Sequence, residues 1–393
     1  MAIFIRLRPF CVARTPSAGN LDIHSQEGAR LLSIMAVIGT RPEAVKMAPV
    51  LAALERRGAR TFVLATGQHA DLLPQTVECL DLRIDERLHQ ADLPHLLAPL
   101  QRAIRLHRPA MVVVQGDTRS AFAGAAAAFL ENVLVAHVEA GLRTGTPFDP
   151  FPEELLRRGI ARFAGIHLTP TEASKQALLR EGVGGRVEVV GNSVIDALEQ
   201  VLAKERRRRT PLRRSPSSRP RILVTAHRRE NEGRRLKEIV AAAAKLASEG
   251  CAVTLFRHPR LSNLSWFERC ARPAKVSAPV PHDRFVSQLA CADLVVTDSG
   301  GVQEEAAYLG RRMLVVRERT ERPECLSPGE RVLVPPNKDF ICQRAADLMG
   351  RHGPVSRSSA LGTGTSGSRI AEILIGELEK AGNLSAGSEL ICR

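Results

Sequence analysis

The chain is predicted to be an α/β protein of two Rossmann-like domains that face each other across a cleft. Three observations carry this. Short, unbroken apolar runs alternate with segments of helical period, the pattern of a parallel sheet covered on both faces. The alternation stops at a basic stretch near the middle of the 393 residues and then restarts. Finally, the unusual polar clusters fall just after the apolar runs, where such sheets bind ligands.

Taken in order, LLSIMAVIG (31–39) is strand-like. PEAVKMAPVLAALERRG (42–58) is helical, with apolar positions three and four apart. TFVLATG (61–67) and MVVVQGD (111–117) supply two more strands, SAFAGAAAAFLEN (120–132) an Ala-rich helix, and VLVAHVEAG (133–141) a fourth strand. KERRRRTPLRRSPSSRPR (204–221) has Pro and Ser but no apolar period, and reads as a solvated, linker-like insertion. The pattern then restarts with RILVTAH (221–227), EIVAAAAKLASEG (238–250), CAVTLFRHP (251–259), DLVVTDSG (293–300) and RMLVVRE (312–318). The expected division is 31–191 for the first domain and 192–365 for the second.

Composition narrows the class. Hydrophobic residues make up 44% and charged residues 25%, as in an ordinary soluble enzyme. No apolar run reaches the roughly 18 to 20 residues of a membrane helix, so no membrane association is expected. The net charge of +14 raises the question of nucleic acid, but aromatics at 4% are too few for base-stacking platforms. Nucleic acid is therefore not the expected partner. Eight cysteines with no C-x-x-C pair and no zinc spacing fit a reducing cytoplasm and no metal site. Residues 1–30 are basic, with an apolar stretch broken by Arg and Pro. They are expected to be a disordered extension rather than a secretory signal, with the fold starting near Met35.

The strand ends carry the chemistry. In GTRPEAVK (39–46), Pro42 suits the first helical position, and Arg41 and Lys46 flank a helix start able to take phosphate. The P-loop spacing is absent. Asp117, Glu139 and Glu153 form an acid set, with Glu139 beside His137 and Glu153 at a Pro-marked helix start. One such acid alone reads equally well as a helix cap. Three converging on a cleft suit removal of a proton from carbon and its return to the other face. His227 is a candidate partner from the second domain. DSGGVQEE offers the amides of Ser299, Gly300 and Gly301 to a diphosphate, and Glu305 to the hydroxyls of a sugar. No G-x-G-x-x-G follows any strand, which disfavours NAD.

These motifs, GTRPEAVKMAPV, TGQH, VQGDT, HVEAGLRTG, FPEE, PTEASKQALL, VVGNSVIDAL, TAHRRE, TDSGGVQEEAAYLG and RTERPE, resemble in order the bacterial non-hydrolysing UDP-N-acetylglucosamine 2-epimerases. The resemblance runs from about Ile34 to Glu324. It implies the glycosyltransferase-B architecture, with UDP in the interdomain cleft and a C-terminal helix (366–382) crossing back onto the first domain. It implies interconversion of UDP-GlcNAc and UDP-ManNAc through elimination of UDP to 2-acetamidoglucal, without metal or NAD cofactor, in a homodimer. By motif match Asp117, Glu139, Glu153 and His227 carry the acid/base and intermediate-stabilising work, with individual proton transfers unassigned. Arg41, Lys46, Arg143, Arg322 and residues 299–301 would bind substrate, with Glu305 on ribose and Val280 and Phe285 near uracil. Bacterial members often bind a second UDP-GlcNAc as activator, for which Gln68, His69, Arg228 and His258 are the matching candidates. The chain departs from the family pattern at Leu156, where Asn is usual, and at His282, where Tyr is usual.

Three other readings stay open. A hydrolysing epimerase would release UDP and free ManNAc. A sugar-nucleotide glycosyltransferase of the same architecture would need an acceptor groove in place of the three carboxylates. A non-catalytic protein would bind acidic polymer through residues 204–221, with salt-sensitive affinity.

Overall fold

The computed structural model describes residues 33–68, 77–78, 80–89, 92–146, 148, 150–207, 219–351, 353 and 355–390. The expected extension (1–30) and most of the basic stretch lie outside the described residues.

The first half contains β1 (Ser33–Ile38), α1 (Arg41–Arg56), β2 (Arg60–Ala65), β3 (Glu86–Arg87), α2 (Leu93–His107), β4 (Met111–Gln115) and α3 (Arg119–Leu130). It continues with β5 (Leu134–Val138), α4 (Glu153–Phe163), β6 (Ile166–Thr169), α5 (Glu172–Arg180), β7 (Arg186–Val189) and α6 (Ser193–Arg207). The second half contains β8 (Arg221–Thr225), α7 (Arg234–Ser248), β9 (Ala252–Phe256), α8 (Trp266–Ala271), β10 (Lys275–Ser277), α9 (His282–Ala290) and β11 (Leu294–Thr297). It ends with α10 (Gly300–Tyr308), β12 (Arg312–Val316), β13 (Arg331–Val334), α11 (Lys338–Met349) and α12 (Ser366–Leu390).

Seven strands form one sheet in the order β3-β2-β1-β4-β5-β6-β7, and six form another in the order β10-β9-β8-β11-β12-β13. The paired strands within both sheets are parallel. This is the expected pair of parallel-sheet α/β units in the glycosyltransferase-B arrangement. Burial on both faces explains the unbroken apolar runs: Met35 through Ile38 and Met111 through Val114 are essentially inaccessible.

The basic run, read as linker from residue 204, is helical through Arg207, because Leu198, Val201 and Leu202 anchor α6 against Val295, Met313 and Val315 of the second sheet. The C-terminal helix α12 packs Ile370, Leu374 and Leu378 against Met47, Val50 and Leu54 of α1. Its start is held by Asp196, which accepts from the amides of Ser366 (3.2 Å) and Gly367 (2.8 Å). The helix that begins the chain's last segment thus belongs to the first unit's core. Among the described residues no helix is long and apolar enough to cross a membrane.

Candidate active site

Strand order reverses between β1 and β4 in the first sheet and between β8 and β11 in the second, and the crevices outside these switch points are where such folds bind ligands. The two crevices face each other and form a cleft with two connected lobes. The larger lobe, about 810 Å³, is lined by Gln68, Asp117, Glu139, Glu153, Arg228 and Arg322, among others. The smaller, about 310 Å³, is lined by Arg41, His258, Val280, Phe285 and Glu305. Lys46, His227, Ser299 and Gly301 border both.

In the larger lobe the acids are held differently. Asp117 follows β4 and accepts from Arg157 Nη1 at 2.9 Å, and Arg157 is itself buried and bound to Glu154 at 2.9 Å. Glu153 opens α4, and its Oε2 is buried with no hydrogen-bond partner among the described residues. His137 is fully buried and donates from Nε2 to the carbonyl of Gly116 at 2.7 Å, steadying the left-handed turn (φ 73°) just before Asp117. Burial lowers its pKa to about 3, so the ring is neutral.

Glu139 lies deeper, with left-handed backbone (φ 63°), an uncommon and costly conformation for a non-glycine residue. Its carboxylate accepts from Lys46 Nζ at 2.6 Å, Arg322 Nη2 at 3.1 Å and Asn192 Nδ2 at 3.4 Å, and also from Gln115 Nε2. From the second unit, Glu304 pairs with the same two cations, Lys46 at 3.0 Å and Arg322 at 2.5 Å. Two carboxylates and two cations, all nearly inaccessible, therefore cross the boundary between the units. Burial works against ionisation of both acids. At Glu139, Lys46 and Arg322 outweigh it and hold the carboxyl at about 2. At Glu304 burial and the charge of Glu139 prevail over the same cations, and the carboxyl is pushed up to about 7. Arg322 continues the network to Glu321 (2.6 Å), which also accepts from Arg228 (2.8 Å) and pairs with Arg317.

His227 follows β8. Its amide and that of Arg228 donate to Asp298 (both 2.9 Å), and its Nδ1 lies 3.4 Å from the same carboxylate. The ring stacks on His258 at 5.0 Å. Burial in the cleft lowers the ring's pKa, with Asp298 opposing. Helix α10 starts at Gly300, and its first-turn amides have no partner within the helix. A Cβ on Gly300 would lie 2.4 Å from Arg322 Nη1, so only glycine lets the guanidinium cross this turn, whereas Gly301 meets nothing within 4 Å. The Ser299 amide donates to Thr297 Oγ1 (3.0 Å), so the first-turn amides of Gly300, Gly301 and Val302 are the ones with no partner inside the helix.

In the smaller lobe Phe285 packs edge-on against Phe256 (5.4 Å), and Val280 lines the wall. Glu305 sits on the second turn of α10 and pairs with His282 Nε2 at 2.7 Å. Gln68 accepts from the Ser120 hydroxyl at 2.9 Å. Arg143, expected at the substrate, is paired within the first unit. It lines neither lobe; its fork is satisfied by both oxygens of Glu181 (2.8 and 2.7 Å) at the end of α5, a structural bidentate pair. His69 lies outside the described residues.

The family model for UDP-N-acetylglucosamine 2-epimerase matches residues 52–375. The chain belongs to the UDP-N-acetylglucosamine 2-epimerase family. Among its relatives, the UDP-N-acetylglucosamine 2-epimerase of Escherichia coli K12 is 35% identical over 370 residues, covering 87% of this chain and 98% of the relative. That of Bacillus subtilis is 34% identical over 364 residues, covering 88% and 95%. A solved UDP-GlcNAc 2-epimerase from Neisseria meningitidis, bound to UDP-GlcNAc, superposes with a TM-score of 0.81 at 30% identity and covers 88% of this chain and 100% of its own.

Two residues that depart from the family's pattern line the cleft. Leu156 is buried at the wall of the larger lobe, and His282 is buried against Glu305. Sequence reasoning missed Glu43, Arg157, Asn192, Glu304 and Glu321. Glu43 and Glu304 were visible only as neighbours of assigned residues, in GTRPE and VQEE.

Proposed function

We propose that the chain catalyses reversible C2 epimerisation of UDP-N-acetylglucosamine to UDP-N-acetylmannosamine without net hydrolysis. The observation that carries this reading is the make-up of the larger lobe, where acids and cations line one cavity. Asp117, Glu139 and Glu153 line the same lobe as Lys46, Arg322 and the start of α10. The names of the relatives support the same substrate.

The C2 proton of a hexosamine is barely acidic, so its removal must accompany departure of a stabilised leaving group. The diphosphate gains a negative charge as the C1–O bond breaks. Cations and amides already oriented toward it lower that barrier most. In this reading Lys46 and Arg322, held by Glu139 and Glu304, receive the diphosphate with the Gly300–Val302 amides. The apolar wall of Val280 and Phe285 takes uracil, and Glu305 the ribose. The C2 proton leaves one face and returns to the other through the Asp117, Glu139, Glu153 and His227 set, while enclosure between the units keeps 2-acetamidoglucal from water. Gln68 and Arg228 at the larger lobe support a second UDP-GlcNAc bound there as activator. Exposed Leu106, Phe129 and Leu130 on α2 and α3 support a homodimer.

Phosphorus NMR of a turnover mixture tests the reading. Signals of two UDP-sugars approaching a constant ratio are expected. Stoichiometric free UDP with N-acetylmannosamine would make the enzyme hydrolytic instead.

A further inference from the structure

Glu43 sits at the third position of α1, where a carboxylate ordinarily completes a solvent-exposed capping box. Here it is 1% exposed and lines the larger lobe. One oxygen accepts from the amides of Gly39 (2.8 Å) and Thr40 (2.6 Å). The other accepts from the hydroxyl of Thr118 at 2.5 Å, a residue 75 positions away. Thr118 is the cap of α3, its oxygen accepting from the amide of Ala121 at 3.0 Å, and it directly follows Asp117. The single hydroxyl proton is thus spent on Glu43 and a lone pair on Ala121, which fixes the side chain from both sides. The two helix starts are also pressed together: a Cβ on Gly39 would lie 1.9 Å from Ser120 Oγ.

The consequence for the site follows from what each helix carries. Helix α1 presents Arg41 and Lys46 to the cleft, and the turn before α3 presents Asp117. Arg157 fixes the Asp117 carboxylate, but nothing in that pair sets the distance from Asp117 to the cations of α1.

We propose that Glu43 is a positioning residue for the reaction, acting through the Thr118 hydroxyl to hold Asp117 in register with the Arg41 and Lys46 helix. An ordinary cap would stabilise α1 alone. This carboxylate spans two helices, so its loss displaces an acid relative to a diphosphate. Misplacement by about 1 Å can cost on the order of 100-fold in rate.

The inference rests on the proposed epimerase activity, and the test separates the two. UDP-GlcNAc turnover, UDP affinity by calorimetry and thermal stability are compared for wild type, Glu43→Gln, Thr118→Val and Thr118→Ser. Expected are kcat losses of about 10- to 100-fold for Glu43→Gln and Thr118→Val with UDP affinity within about threefold, and recovery of most of kcat in Thr118→Ser, which keeps the hydroxyl. The Thr118 pair decides even where Glu43→Gln does not fold. Near-normal turnover of Thr118→Val, or parallel loss of UDP binding and turnover in it, would overturn the proposal. An inactive wild type would instead sink the activity on which it rests.

Discussion

Lys46 of the first unit is paired with Glu304 of the second at 3.0 Å, while Arg322 of the second reaches back to Glu139 of the first at 3.1 Å. Each unit's cation is therefore held partly by the other unit's carboxylate. The charges proposed to receive the diphosphate are in register only when the two units are assembled, so the same four side chains tie the units' arrangement to stability.

Removing one member of such a buried network leaves its partners uncompensated. Lys46→Met is expected to destabilise the fold by about 3–5 kcal/mol, read by urea denaturation. A loss under about 1 kcal/mol would mean that water replaces the ammonium.

The two carboxylates should not be equivalent. Glu139 is held ionised at about 2, whereas burial pushes Glu304 up to about 7, close to neutrality at working pH. Glu304→Gln, near-isosteric with the protonated acid, is expected to cost much less stability at pH 7 than Glu139→Gln. Equal costs in parallel denaturation curves would contradict this assignment.

Adjacent glycines at the start of α10 should also differ. Gly300→Ala drives a Cβ into the Arg322 guanidinium, which three carboxylates hold in place, so both stability and UDP affinity should fall. Gly301→Ala meets no protein atom within 4 Å and faces the cavity, so it should fold normally but bind UDP more weakly. Calorimetry with UDP, together with melting curves, reads both.

Acid should weaken the fold through His137. Its folded pKa, about 3, lies below the ordinary imidazole value near 6.5 because burial excludes the charged form. Above pH 6.5 neither state binds the proton and the stability is complete. As pH falls from about 6.5 toward 3, only the unfolded chain protonates, and stability drops by roughly 1.4 kcal/mol per pH unit for this one group. His137→Asn should show a correspondingly shallower slope over that window. An unchanged slope would assign the acid sensitivity elsewhere.

The cleft was legible because polar residues immediately follow buried strands, a local signal at Asp117, His227 and Asp298. The strands missed were short or only half-buried: Arg186–Val189 reads RVEV and Lys275–Ser277 reads KVS, with no apolar run to mark them. Partnerships across the chain were not legible. Arg143 stands inside a site motif, yet its fork is held by Glu181, 38 residues on. Glu43 carries the local pattern of a surface helix cap, and only folding brings Thr118 to its other oxygen. Burial likewise separated the adjacent acids Glu304 and Glu305, one joined to cations of both units and the other to His282.

Under the proposed function the C2–H bond is broken and remade while UDP is retained. Incubation of wild-type protein with UDP-GlcNAc in deuterated water, followed by proton NMR at C2, tests it directly. The expected result is deuterium at C2 of both UDP-GlcNAc and newly formed UDP-ManNAc. UDP-ManNAc that keeps its original C2 proton would contradict proton exchange through the acid set, and intact, undeuterated UDP-GlcNAc as the only species would contradict the activity itself.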